Sequence, residues 1–229
     1  SKLYHLYREP EVGEDLNRRG AEPHEALPQI VQEAYTLLGA DWRETLKSWQ
    51  ANGHASPPVM LTVCNRTETA ARVEHYFRQG DAFWSELKAP ERTLRVDSKV
   101  LDKAEVGETT TADKDYEQAL KAIVAAAAIP ATLKQDLLAL KKEELLRAIV
   151  DSVSKRNAAG QDLQNVISVA MLSEGWDAKN VTHIMGLRAF TSQLLCEQVI
   201  GRGLRGVAMK WRPCFARMAS SASCSSRNS

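Results

Sequence analysis

Cysteine is scarce in this chain and never closely spaced: Cys64, Cys196, Cys214 and Cys224 are the only four, with no C-x-x-C pair and no histidines at metal-ligand spacing. That argues against a zinc site and gives no support to a disulfide framework or a redox pair. Cys64 and Cys196 instead fall in apolar patterns, where a free thiol acts as a small hydrophobic side chain. Long hydrophobic runs are missing too, since none approaches the roughly 18 residues that span a bilayer. The opening SKLYHLYREPEVGEDL mixes both charge signs and has neither the apolar centre nor the cleavage site of a signal peptide. The expectation is a cytosolic protein with no membrane partner.

Acidic residues vanish after Glu197, while Arg202, Arg205, Lys210, Arg212, Arg217 and Arg227 follow, so a chain of net charge only +1 ends in a local positive field. A solvated tail and a polyanion-facing segment both fit that asymmetry. With 229 residues, 44% hydrophobic and 26% charged, the composition is that of a globular protein with one principal core.

Residues 1 to 25 carry Pro10, Gly13, Gly20 and Pro23 and predict an irregular lead-in cut from something longer. Two helices should follow, one spaced by Leu27, Ile30, Val31, Ala34, Leu37 and Leu38, the other around Trp42, Leu46 and Trp49, ending near Asn52 and Gly53. After Pro57-Pro58, the run Val59-Met60-Leu61-Thr62-Val63 suits a strand covered on both faces. A helix bearing Ala70, Val73 and Phe77 comes next, which Asn65 or Thr67 can cap. Thr93 to Val100 and Val166 to Met171 predict further strands, and Val181 to Met185 another.

Between them, residues 102 to 141 form a helical elaboration, and 145 to 153 an amphipathic helix that stops before Asn157 and Gly160. Strands alternating with helices predict an α/β fold with a parallel, doubly wound sheet, whose ligands bind in loops outside the strands' carboxyl ends. The expected organisation is a lead-in over 1–56, the α/β lobe over 57–206 and a disordered, serine-rich tail over 207–229. His183, inside an apolar strand, is expected to be a hydrogen-bonded core histidine, and Trp176 a core or interface residue.

The stretch SQLLCEQVIGRGLR, 192 to 205, sorts by helical geometry into two faces. Cys196, Val199, Ile200, Gly203 and Leu204 make an apolar or small stripe, while Gln198, Gly201, Arg202 and Arg205 fall opposite. Two arginines three residues apart repel, and a glycine beside them lowers helix propensity by roughly 1 kcal/mol. Either this is a solvated basic face, or an anion is held there by the forked guanidinium groups. Gly201, Gly203 and Gly206 also spell G-x-G-x-x-G, but they follow a helical run and no acid comes later, so a dinucleotide fingerprint is rejected.

Q-x-x-G-R-x-x-R, here Gln198, Gly201, Arg202 and Arg205, resembles motif VI of superfamily 2 helicases, and SVAMLSEGWD at 168 to 177 is similar to the upstream motif V. With LRVDSKV and NVISVAMLSEGWDAKNVTHIMGLRAFTSQLLCEQVIGRGLR, the chain looks closest to the Res subunit of type III restriction enzymes over about residues 25 to 205. The resemblance implies a RecA-like second motor lobe of an ATP-dependent DNA helicase or translocase. It implies Arg202 and Arg205 as arginine fingers with Gln198 at the same cleft, and Asp177 and Gly201 near the nucleotide. Ser173, Gly175, Asn65 and Thr67 would lie along a double-stranded DNA backbone.

It further implies ATP with Mg²⁺ held mainly by an upstream RecA-like lobe, and a modification methyltransferase subunit as partner. An RNA helicase lobe, or an inactive interaction remnant of a truncated gene, would carry the same residues. Asp177 could equally end its loop, and Asn65 or Thr67 could serve only as caps. No G-x-x-x-x-G-K-[ST] and no Mg²⁺-binding Asp-Glu pair occur, so the motor parts present are incomplete. The likeness stops at Arg205, where GVAMKWRPCFARMASSASCSSRNS replaces the expected continuation.

Overall fold

The computed structural model describes residues 9–79, 85–96, 111–169 and 178–188. The backbone order is α1 (Pro10–Asn17), α2 (Gln29–Ala51), β1 (Val59–Cys64), α3 (Thr67–Gln79), two short 3₁₀ turns, then β2 (Thr93–Val96). There follow α4 (Thr111–Ala126), α5 (Ala131–Leu138), α6 (Lys142–Asp151), β3 (Asn165–Ser168) and β4 (Val181–Leu187).

β1 forms where Pro57 and Pro58 forbid helix and six residues of high β propensity follow; every one of them is buried. It pairs parallel with β3 on one side, Leu61 opposite Val166 and Val63 opposite Ser168. On the other side it pairs parallel with β4, and Cys64 lies opposite Leu187. β2 adds to β3, so the described strands make one all-parallel sheet in the order β2-β3-β1-β4.

Strand alternation gives this sheet two apolar faces, as an all-parallel sheet requires. On one face Val59, Leu61, Val63, Leu94 and Val166 pack with Leu120, Ile123, Leu145 and Ile149 of the crossover helices α4 and α6. On the other, Met60, Cys64, Ile167, Met185 and Leu187 meet α1, α2 and α3 through Leu16, Val31, Tyr35, Trp42, Val73 and Phe77. The result is an α/β structure with helices on both faces. The expected elaboration at 102–141 is, where described, part of the β2-to-β3 crossover and fills the first core.

Two expectations change. The lead-in is not irregular throughout, because Pro10 occupies the first turn of α1, where a missing N–H costs nothing, and Val12 and Leu16 bury. The two helices expected over 27 to 53 are one 23-residue helix, since Val31, Tyr35, Gly39, Trp42 and Leu46 form one unbroken buried stripe. Its polar core atoms are matched: Tyr35 Oη and Thr62 Oγ1 are 2.9 Å apart, and Trp42 Nε1 donates to the Pro58 carbonyl at 3.0 Å. β4 runs two residues further than expected, to Leu187, and β3 starts at Asn165.

Gly160 is where backbone approaches backbone most closely. A Cβ there would stand 2.6 Å from the Ile149 carbonyl oxygen and 2.8 Å from Val153 N, both in or beside α6. Gly53 is different: it ends α2 with φ +70 and open space around it. Gly160→Ala should therefore cost about 3 kcal/mol of unfolding free energy by overpacking, and Gly53→Ala about 1 kcal/mol by backbone strain alone. Urea titration of both variants checks the order, and equal losses would contradict the close approach.

Candidate functional site

In a parallel sheet all strands point the same way, so the loops after β1, β3 and β4 leave from one edge. Val63 beside Ser168 and Cys64 beside Leu187 put those three exits side by side, with β1 in the middle. Asn65 and Thr67, the two candidate residues that are described, sit there: Asn65 in the turn and Thr67 opening α3. Ser173, Gly175 and Asp177 follow β3, and Gln198, Gly201, Arg202 and Arg205 follow β4, but all seven lie outside the described residues.

The turn after β1 is held from the side. Asn65 Nδ2 donates to the Leu16 carbonyl at 3.2 Å and to Asn17 Oδ1 at 2.7 Å, and Thr69 Oγ1 donates to the same Leu16 carbonyl at 2.9 Å. Leu16 is in the last turn of α1, where carbonyls have no intrahelical partner, so α3 supplies the missing donors. The expectations for Asn65 are a nucleic-acid backbone contact or a cap on α3; its amide nitrogen instead anchors α1, a role neither expectation names. Deeper in, Arg72 is 2% exposed. Its guanidinium meets the Asp15 carboxylate at 2.8 Å, donates from Nε to the Glu25 carbonyl at 3.2 Å, and also bonds the Ala26 carbonyl. A fully buried cation demands such a set of acceptors.

Charge at this edge is positive. Arg66 lies between Asn65 and Thr67 and, among the described residues, joins no ion pair or side-chain hydrogen bond. Arg188 is half-buried directly after β4, and its Nε is buried with no hydrogen-bond partner among the described residues. The first turn of α3 adds the positive end of its helix dipole, with the Glu68 carboxylate as the opposing charge. Arrangements of this kind attract anions.

Sequence reasoning passed over Arg66, Arg72 and Arg188. Arg66 and Arg188 could have been found as the cations nearest the carboxyl ends of two apolar runs. Arg72 gave no signal, because its burial depends on Asp15 and residues 25 and 26, far away in sequence.

His183 is 5% exposed. Its Nδ1 lies 2.8 Å from Thr182 Oγ1 and its Nε2 3.2 Å from Asp41 Oδ2, tying β4 to α2 as expected of a core histidine. Burial holds its pKa below the ordinary imidazole value, while the largely exposed Asp41 carboxylate pulls weakly the other way. Cys64 is fully buried and its thiol is pushed far up, leaving it inert as a nucleophile. At the opposite, amino edge of the sheet a hollow of about 190 Å³ is bounded by Glu91, Arg92, Ile123, Ala127, Asp162 and Leu163. Neither Asn65 nor Thr67, the two described candidates, lines it. No helix among the described residues is long and apolar enough to cross a membrane.

Compared with protein families, curated proteins and solved structures, the chain matches none.

Two outcomes follow from this geometry. Arg72→Ala removes a buried cation and leaves the carboxylate and two carbonyls without it, and should cost about 3 kcal/mol. It should also raise hydrogen exchange across 12–17 more than across β1, and uniform exchange would refute the anchoring of α1. His183 carries less proton affinity folded than unfolded, so the unfolded chain takes the proton first as pH falls through the ordinary value of about 6.5. Stability is lost across that window and levels off below the folded pKa. In urea titrations from about pH 7.5 to 5.5 the advantage of the native protein over His183→Gln should shrink, and a pH-independent difference would contradict a buried neutral imidazole.

Proposed function

We propose that this chain is a RecA-like motor lobe, the second lobe of an ATP-dependent DNA translocase most similar to the Res subunit of type III restriction enzymes. The observation that carries the proposal is the adjacency of strand ends. β1 and β3 leave one edge of a parallel sheet side by side, so the stretch containing Asn65 and Thr67 and the stretch containing Ser173, Gly175 and Asp177 start as neighbours. The segment with Gln198, Gly201, Arg202 and Arg205 starts at the same edge, after β4.

In this proposal Arg202 and Arg205 stabilise negative charge as it develops on the transferring phosphoryl group, with Gln198 beside them. Asp177 and Gly201 face the nucleotide, and the loops after β1 and β3 hold the duplex backbone. The donor chemistry fits the phosphates of ATP, since the edge offers guanidinium groups and helix N–H groups. It does not suit Mg²⁺, because the sequence has neither the P-loop nor the acidic pair that would hold the metal. Both belong to a partner lobe. A DNA-methylating subunit is the further partner proposed, and the cytosol the proposed setting.

The test has two parts. The chain alone should hydrolyse no ATP above buffer, with or without duplex DNA. Joined to a lobe carrying a phosphate-binding loop, it should support turnover that Arg202→Ala or Arg205→Ala lowers by about 10³ to 10⁵, with ATP affinity changed far less. Hydrolysis by the chain alone, or full turnover in both variants, would overturn the proposal.

A further inference from the structure

The β1–α3 turn and the end of β4 present two arginines whose positive charge no described residue neutralises. Leu187 is the Cα partner of Cys64, so Arg188 on one side and Asn65 and Arg66 on the other leave from adjacent strand ends. Arg66 is half-buried and takes part in no described ion pair or side-chain hydrogen bond. Arg188 is half-buried, and among the described residues no ion pair or hydrogen bond partners its guanidinium. Its neighbours do not offer an acceptor: Asn65 gives its amide nitrogen to α1, His183 is bonded to Asp41 and Thr182, and Arg72 already holds Asp15. Among the described residues, Glu68 in the first turn of α3 is an acid on this side, and no described ion pair joins it to either arginine.

A guanidinium held half-buried at a sheet edge with no described counter-ion is a fixed positive charge open to an anion, and arginine's planar fork is matched by paired phosphate oxygens. We propose that Arg188 and Arg66 together form a phosphodiester-backbone contact on the carboxyl edge of the sheet, Arg188 supplying a bidentate clamp and Arg66 an outer charge. This deepens the motor-lobe proposal and rests on it, because it names the residues that would grip the nucleic-acid backbone. Arg188 is held in place by β4, which pairs with β1 through six residues ending at Leu187. A clamp carried by a sheet edge keeps its position under load better than one on a free loop. Contacts of this kind read charge and spacing, not base sequence.

Titrating the full chain with a fluorescein-labelled mixed-sequence DNA duplex, and with an RNA duplex of equal length, tests this by anisotropy between about 50 and 200 mM salt. Replacing one phosphate-contacting cation should weaken binding severalfold at the lowest salt and make the slope of log K against log salt shallower by about 1. Arg188→Gln and Arg66→Ala should each do this, Arg188→Lys should keep the slope while losing affinity, and Lys155→Ala with Arg156→Ala, at the opposite edge, should change neither. Circular dichroism melts identify a variant that fails to fold, and Arg66→Ala, in a turn position with no described side-chain partner, then still decides. If the native chain binds but Arg188→Gln and Arg66→Ala keep its affinity and slope, the clamp is wrong and the motor-lobe proposal stands. If excess ATP displaces the duplex and protects this edge instead, the phosphate taken is a nucleotide's and the backbone assignment fails. If the native chain binds neither duplex at low salt, both proposals fail.

Discussion

Strand β1 is the constraint on which everything else rests. Its six residues are hydrogen-bonded on both edges and buried on both faces, so Val59, Leu61 and Val63 belong to one core and Met60 and Cys64 to the other. A one-residue slip would exchange the two sets and set side chains chosen for one layer of helices against the other. Because β3 and β4 take their register from β1, the same pairing decides which loops stand together at the carboxyl edge. Fold and site position are therefore set by a single strand.

The two edges of the sheet differ in what they leave exposed. At the amino edge Asn180 Nδ2 donates to the Pro57 carbonyl and Met60 N to the Gln164 carbonyl, and the described groups left without a hydrogen bond there are neutral amides of Asn165 and Asn180. At the carboxyl edge the cations Arg66 and Arg188 remain, while Asn65, Thr69 and Arg72 are spent on stitching α1 to α3. That division gives a stiff turn carrying free charge. Rigidity there matters, because a contact that is loose by about an ångström loses most of what preorganisation supplies.

Much of this architecture was legible in the sequence, and the exceptions have physical causes. β1 and β4 could be read because each is a short, largely apolar run, and α6 because its apolar residues recur at helical spacing; α6 even keeps its Glu144 carboxylate on the Lys141 N–H at 3.3 Å. α2 was split in two because Gly39 and Asp41 resemble a stop, whereas Gly39 is buried in the stripe that runs through it. α1 was missed because Pro10 and Gly13 suggest a loop, and only packing of Val12 and Leu16 against the sheet makes the segment helical. Candidate residues chosen by motif position fell mostly outside the described residues. Those chosen by geometry, Arg66 and Arg188, came from asking which charges lack partners, a question a sequence cannot answer.

The central claim is that the carboxyl edge of the sheet is where this chain meets an anionic partner. Amide hydrogen exchange of the full chain with and without duplex DNA at low salt addresses it most directly, because the first amides of α3 lack intrahelical acceptors and report any ligand that covers them. Added protection at 65–69 and at 188, with 152–164 unchanged, is the predicted result. Protection confined to 152–164, or to the basic segment after 206, would contradict it.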